Sequence, residues 1–191
     1  MKYLYVLLPV ASVVGIYVMR LAELKADRDT IPGVVKETLT LRLFMLAGTL
    51  MVVGSITEFF VRGLSLAFWS FALGWICALG SFAVRRRAIA ALGQFWSLHV
   101  EIRENHEFVQ GGPFRFVRHP TYFSMILELL GLGLLLNAVY TPIGVALIFI
   151  PTLVARVRIE ETALVQTFGD AYRAYQRSTP ALIPYRFSFS K

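Results

Sequence analysis

Residues 111–125 read GGPFRFVRHPTYFSM, and here a polar, basic segment enters a long apolar run. Pro120 suits the first turn of a helix, because an N–H at that position has no partner within the helix. The run that follows, from Tyr122 to Tyr140, contains one charged residue, Glu128. This boundary predicts a membrane-spanning helix that is directly preceded by a cluster of cationic residues.

The composition supports membrane insertion. Of the 191 residues, 57% are hydrophobic and 16% are charged, whereas soluble domains are about half apolar and about a quarter charged. The single cysteine, Cys77, excludes an internal disulfide. We interpret the formal net charge of +7 as anchoring against anionic lipid on the cytoplasmic side rather than as nucleic-acid binding.

Five apolar runs predict the fold. A helix crosses the bilayer core with about 20 apolar residues, and the fifth run is shorter than that. The first run is interpreted as a retained anchor, because it has no clear small-residue cleavage site. The predicted fold is an all-α integral membrane protein with five transmembrane helices. The runs are Tyr3–Met19, Leu43–Val61, Leu64–Val84, Tyr122–Tyr140 and Ile143–Ala155.

The breaks between runs predict the helix ends. Arg62-Gly63 indicates a tight turn, and Arg85–Arg87 predicts the end of the third span. Nothing breaks the fifth helix before Gly169. That helix is therefore predicted to continue beyond the membrane through Leu164.

The basic residues predict the orientation. All but two of the 19 lysines and arginines, the exceptions being Lys2 and Arg62, lie in 20–42, in 85–118 or beyond Ala155. Because cytoplasmic loops are enriched in lysine and arginine, the N-terminus is predicted outside and the C-terminus inside. The loop before the fourth span and the helix leaving the fifth then share the cytoplasmic face. Polar groups gathered at one membrane face indicate a site.

Arg156 and Glu160 are four residues apart, so they lie on one helix face. They form either an interfacial salt bridge or a site, in which Arg156 binds a carboxylate or phosphate and Glu160 pairs with a cationic ligand. Glu128, a carboxylate within a predicted span, either has a functional role or pairs with Ser124 or with a partner on another span. Glu58 is expected to reach water near the outer surface.

Other common sites have no sequence support. The chain has no HExxH or CxxC motif, so no metal is predicted. It also has no G-x-S-x-G elbow, phosphate-binding loop or G-x-G-x-x-G motif.

Three motifs in order carry a resemblance: HEFVQGGPFRFVRHPTY (106–122), RVRIEETALVQTFGDAYRAYQ (156–176) and LIPY (182–185). Together they resemble the isoprenylcysteine carboxyl methyltransferase family and its phospholipid N-methyltransferase relatives. The resemblance covers about residues 96–185, and the first two spans match only in number and length. It implies one membrane domain, 1–191, with three N-terminal spans in 1–84. Residues 85–191 would be the catalytic part, whose cytoplasmic loop and C-terminal helix form a pocket for S-adenosylmethionine.

The resemblance also implies roles for individual residues. Arg156 falls on the family's substrate-carboxylate arginine, and Arg156 and Glu160 are expected to be catalytic. Phe108 stands where leucine is usual, and Phe114 stands where tyrosine is usual, which removes a hydroxyl. The residues expected to bind the cofactor are His99, His106, Glu107, Phe108, Val109, Phe114, His119, Pro120, Thr121, Tyr122 and Glu160.

The implied activity is methyl transfer from S-adenosylmethionine to the carboxylate of a prenylated or other lipid-like substrate. A carboxylate is ionised at neutral pH and needs no general base. An amine or hydroxyl acceptor needs a proton acceptor, for which Glu160, Glu161 or a histidine is a candidate. The alternatives are a lipid N- or O-methyltransferase, an NADPH-dependent membrane sterol-type reductase, and a non-catalytic scaffold.

Overall fold

The computed structural model describes residues 2–25, 34–35, 38–64, 66–97, 101–102 and 108–184. The predicted all-α class is confirmed, with two additional two-residue strands, Val34–Val35 and Glu101–Ile102, that pair antiparallel. Short 3-10 helices cover Gly93–Phe95 and Gly112–Arg115. The α-helices are α1 (Lys2–Lys25), α2 (Leu39–Val61), α3 (Phe68–Leu92), α4 (Pro120–Leu135), α5 (Tyr140–Phe168) and α6 (Asp170–Ser178).

Four segments are long and apolar enough to cross a membrane: Tyr5–Leu24, Leu39–Val61, Phe68–Phe95 and Tyr140–Phe168. The helix α4 is apolar but has only 16 residues, about 24 Å at the usual rise. A bilayer core is about 30 Å thick. The membrane fold is therefore confirmed, with four candidate spans. The additional span predicted over α4 stays a prediction.

Several predicted helix ends differ from the structure, and the two ends of α3 are among them. The helix α3 begins at Phe68 rather than Leu64, and it continues through Arg85–Arg87 to Leu92. The arginines do not end the helix, because arginine favours helical backbone and the buried Arg85, only 2% exposed, finds charged partners. The predicted continuation of α5 is confirmed, since the helix ends at Phe168, directly before Gly169, whose φ is +56°.

The helices α3 and α4 pack closely at two glycines. A Cβ on Gly74 would lie 2.8 Å from the backbone nitrogen of Leu135 and 3.0 Å from the carbonyl oxygen of Gly131. Such distances are too short for a side chain, so the close approach needs glycine. This contact fixes α4, and with it the site at the start of α4.

Glu58 caps the start of α5. Its Oε1 accepts hydrogen bonds from the N–H groups of Val139 (2.7 Å) and Tyr140 (3.1 Å), and its Oε2 accepts from the N–H of Thr141 (2.8 Å). The first N–H groups of a helix have no partner within it. The prediction that Glu58 reaches water was wrong, because the residue is only 9% exposed. Its carboxylate, rather than water, accepts the hydrogen bonds of these N–H groups.

Glu128 belongs to a ring of alternating charges. Its Oε2 binds Arg85 and lies 3.8 Å from Nε of Arg20. Glu23 closes the ring, with its Oε2 at 3.2 Å from Arg20 and 3.0 Å from Arg85. The predicted partner on another helix is thus confirmed. The ring ties α1 to α3 and α4, and buried charges of this kind persist only when they are paired.

Candidate active site

The start of α4 is held by the C-terminal segment of the chain. The N–H of Arg118 donates to the carbonyl oxygen of Pro180 (2.9 Å), and the N–H of His119 donates to that of Ala181 (3.0 Å). Pro120 occupies the first turn of α4, as the sequence predicts. This backbone pairing brings residues 180–181 beside the Arg-His-Pro motif.

The His119 ring lies between two carboxylates and is 2% exposed. Its Nε2 lies 3.0 Å from Oε1 of Glu161, and its Nδ1 lies 3.6 Å from Oε1 of Glu160. Burial alone would lower the pKa of the imidazole, but the two glutamates outweigh burial and raise this pKa from 6.5 to about 9. His119 therefore carries a positive charge at neutral pH.

Arg156 is 4% exposed and is held from two sides. Its Nε donates to the hydroxyl of Tyr122 (3.1 Å), and its Nη1 donates to Oγ1 of Thr40 (2.8 Å). The Tyr122 hydroxyl in turn donates to Oε2 of Glu160 at 2.5 Å. The hydroxyl therefore links the arginine to the glutamate one helical turn away, and both side chains are fixed in position.

Aromatic rings form a second part of the site. Phe108 packs against Phe168, Tyr172 and Tyr175, with ring centroids 4.9, 5.6 and 5.9 Å apart. The hydroxyl of Tyr175 donates to the carbonyl oxygen of Phe114 at 2.6 Å. These rings join α6 to the segment that precedes α4.

One cavity connects the polar groups to an apolar channel. Arg156, Glu160, Tyr122 and Arg118 line the polar end, and the aromatic rings of α6 lie beside them. The cavity also extends between α1, α2, α3, α4 and α5, where apolar side chains line it together with the paired charges of Arg20, Arg85 and Glu128. Its lining includes Leu21, Phe44, Met45, Leu129, Leu132 and Phe149.

The predicted site residues fall into three groups. His119 and Pro120 are buried at the start of α4, and His119 contacts the wall residues Glu160 and Tyr122. His99, His106 and Glu107 lie outside the described residues, so their roles in cofactor binding stay predictions. The remaining predicted residues line the cavity: Phe108, Val109, Phe114, Thr121, Tyr122, Arg156 and Glu160.

Sequence reasoning missed Thr40, Tyr172 and Tyr175. Thr40 lies on α2, where the family resemblance is limited to the number and length of spans, so no motif marks it. Tyr172 and Tyr175 are three apart, which places them on one helix face. That spacing is the signal that would have pointed to an aromatic wall on α6.

The model of the isoprenylcysteine carboxyl methyltransferase (ICMT) family matches residues 73–166. The chain is 31% identical over 129 residues to protein-S-isoprenylcysteine O-methyltransferase of Schizosaccharomyces pombe, covering 66% of this chain and 54% of that protein. It is 26% identical over 162 residues to protein-S-isoprenylcysteine O-methyltransferase B of Arabidopsis thaliana, covering 81% and 82%.

A further relative is the cobalt-zinc-cadmium resistance protein CzcN of Cupriavidus metallidurans. It is 33% identical over 98 residues, covering 51% of this chain and 45% of that protein. The chain thus spans about half the length of the yeast and Cupriavidus relatives. The family match includes α4 and most of α5, which carry Tyr122, Arg156 and Glu160. Over residues 73–166 the chain therefore matches the isoprenylcysteine carboxyl methyltransferase family.

Proposed function

We propose that the chain is an S-adenosylmethionine-dependent methyltransferase that acts on the carboxylate of a prenylated or other lipid-like substrate. The family supports this class of reaction. The observation that carries the proposal is the cavity, because the buried Arg156 and the partly exposed Glu160 line it together with many apolar side chains from several helices. A lipid with a charged end group has the same two parts.

Arg156 is the group that would hold the acceptor carboxylate. A guanidinium presents its donors in a planar fork, which matches the two oxygens of a carboxylate. Thr40 and Tyr122 hold the guanidinium on the cavity wall, so little side-chain entropy is lost when an acceptor binds. A carboxylate is already ionised at neutral pH. Arg156 would therefore have to orient the acceptor and would not need to deprotonate it.

The residues also fit a sulfonium cofactor, which would supply an electrophilic methyl group. The Glu160 carboxylate on the cavity wall suits a cationic ligand. The rings of Phe108, Tyr172 and Tyr175 suit both a stacked base and a cation. Tyr122 donates to Glu160 and fixes the carboxylate that would meet this ligand.

The proposed orientation places the polar end of the cavity at the cytoplasmic membrane face, as the distribution of basic residues predicts. A water-soluble cofactor would then reach the site from the cytosol. The lipid tail would occupy the apolar channel lined by Phe44, Leu132 and Phe149. In this arrangement residues 1–84 contribute to the substrate channel, while 85–191 hold the cofactor.

Calorimetry on the purified full chain tests the cofactor class. S-adenosylhomocysteine and NADPH are titrated separately into wild type, Glu160→Gln and the control Asp170→Asn, whose side chain is 94% exposed. We expect heat only with S-adenosylhomocysteine, weaker binding in Glu160→Gln and unchanged binding in the control. Binding of NADPH alone would support a reductase instead, and binding of neither would reject an enzyme of either class.

Methyl transfer tests the acceptor. N-acetyl-S-farnesylcysteine serves as the carboxylate probe and phosphatidylethanolamine as the amine probe, each in lipid nanodiscs with radiolabelled S-adenosylmethionine. We expect label on the farnesylcysteine probe. Label on phosphatidylethanolamine alone would keep the cofactor and overturn the carboxylate assignment.

A further inference from the structure

Glu160 and Glu161 are neighbours on α5, but their carboxylates have different surroundings. The Glu160 side chain is 32% exposed and lies on the cavity wall. The Glu161 side chain is 17% exposed, and its partners lie on other segments of the chain. A difference of this kind between adjacent carboxylates suggests different tasks.

Glu161 joins the segment before α4 to α6. Its Oε1 lies 2.8 Å from Nε of Arg118, 2.7 Å from Nη2 of Arg118 and 3.0 Å from Nε2 of His119. Its Oε2 accepts a hydrogen bond from Nε2 of Gln176 at 2.9 Å. Hydrogen bonds between ionised groups are about twice as strong as neutral ones, so these contacts hold the two segments firmly together. We call the contacts of the Glu161 carboxylate with Arg118, His119 and Gln176 the Glu161 junction.

Arg118 extends the junction to the end of α6. Its Nη1 donates to the carbonyl oxygens of Gln176 (3.0 Å) and Thr179. The last carbonyl groups of a helix have no partner within the helix, and a cation there is favourable. Arg118 and Glu161 therefore hold α6 by its backbone and by one of its side chains.

The position of α6 matters because Tyr172 and Tyr175 line the cavity. Gly169, with a φ of +56°, is the only residue between α5 and α6. A helix of nine residues joined through such a turn depends on tertiary contacts for its orientation, since isolated short helices are marginal. Loss of the Glu161 junction would therefore allow Tyr172 and Tyr175, the aromatic wall of the cavity, to change position.

We propose that Glu161 is a positioning residue: it fixes the His119 ring and the aromatic wall of α6, so that Glu160 is left to face the ligand. The identity of that ligand rests on the proposed function. The positioning role itself rests on the contacts of Glu161 and is measurable without any ligand.

The charge of His119 depends on both glutamates, Glu160 and Glu161. The groups that face its ring are Glu160 and Glu161 from α5 and Tyr122 from α4, with Arg118 next to it in the chain. Both glutamates raise the pKa of His119, to about 9. Removal of the Glu161 charge should therefore lower this pKa towards 6.5, the ordinary value for histidine.

Two measurements without ligand test the proposal on the full chain in nanodiscs. The first is an NMR titration of the ¹⁵N-labelled histidines, with His119→Gln to identify the signal among the three. The second is hydrogen exchange of the α6 backbone amides. In Glu161→Gln we expect a lower His119 pKa and α6 exchange faster by about tenfold. In Glu160→Gln we expect α6 exchange at the wild-type rate.

Gln176→Leu is the second variant, because it removes only the contact between Glu161 and the α6 side chain. It should speed α6 exchange and leave the His119 titration unchanged. Unchanged exchange and unchanged titration in Glu161→Gln would overturn the proposal, and so would equal loosening of α6 in Glu160→Gln.

Binding of S-adenosylhomocysteine is the third measurement, and we expect it to weaken about tenfold in Glu161→Gln. If wild type binds no S-adenosylhomocysteine, the proposed function fails. Titration and exchange would still decide the role of Glu161.

Discussion

The hydroxyl of Tyr122 accepts a hydrogen bond from Nε of Arg156 at 3.1 Å and donates one to Glu160 at 2.5 Å. A single phenol thus sets the relative position of the two residues that we expect to act on acceptor and cofactor. Tyr122 comes from α4, and the other two come from α5. The packing of these two helices therefore determines the geometry of the site.

Tyr122→Phe removes this link and keeps the ring. We expect kcat/KM for the farnesylcysteine probe to fall by about tenfold to a hundredfold, because buried hydrogen bonds to charged groups are worth about 1.5–3 kcal/mol. Tyr140→Phe is the control, since that residue is 72% exposed. Equal kinetics in Tyr122→Phe and wild type would show that the hydroxyl does not position Arg156.

Arg156→Ala should abolish methyl transfer while leaving the affinity for S-adenosylhomocysteine within a few-fold of wild type. The reason is that Arg156 is proposed to hold the acceptor and not the cofactor. Arg173→Ala is the matched control, because Arg173 is 55% exposed. A large loss of S-adenosylhomocysteine affinity in calorimetry would instead place Arg156 in the cofactor site.

The raised pKa of His119 predicts a pH-dependent stability. Because the folded-state pKa is about 9 and the ordinary value is 6.5, the charged ring stabilises the fold fully below pH 6.5. This contribution is lost as the pH rises through 9. The melting temperature of wild type should fall between these pH values by more than that of His119→Gln. Parallel curves for the two proteins would contradict the assignment.

Glu58→Gln tests the cap of α5. The carboxylate accepts three backbone hydrogen bonds, so we expect the variant to lose about 1–3 kcal/mol of stability. Denaturation in mild detergent measures this loss. Affinity for S-adenosylhomocysteine should not change. Glu58 contacts the start of α5, whereas Glu160 lies in the second half of that helix. A loss of affinity in a folded Glu58→Gln would place Glu58 in the binding machinery.

Gly74→Ala tests the contact between α3 and α4. The added methyl group would lie 2.8 Å from the backbone of Leu135, and overpacking of this kind costs about 1–3 kcal/mol. Gly144→Ala is the matched control on α5, because a Cβ there meets nothing within 4 Å. We expect a lower melting temperature only for Gly74→Ala. Similar effects of the two substitutions would exclude a specific clash.

The apolar runs predicted most of the helices because hydrophobicity is a local property of the sequence. The ends of α3 were harder to predict. The sequence shows three arginines at 85–87, whereas the structure shows that Arg85 pairs with Glu23, 62 residues away. A charge usually ends a membrane-spanning run, unless a partner that is remote in sequence neutralises it.

The candidate site could likewise be predicted only in part from the sequence. The Arg-His-Pro-Thr-Tyr motif and the Arg156, Glu160 and Glu161 pattern identified the family and the residues that line the cavity. They contained no information on Thr40, which binds Arg156 across 116 residues of chain. They assigned Glu160 to the cofactor but gave Glu161 no role beyond that of a candidate proton acceptor.

The sequence by itself determined the helical membrane class, the continuation of α5 towards Gly169 and the resemblance to the family. Each of these depends on composition or on spacing within one segment. The tertiary structure decided where Glu58, Glu128 and Glu161 find their partners, and how Arg156 is held. These are pairings between groups on different helices, and they form only when packing excludes water and each buried charge must meet a counter-charge or a hydrogen-bond donor.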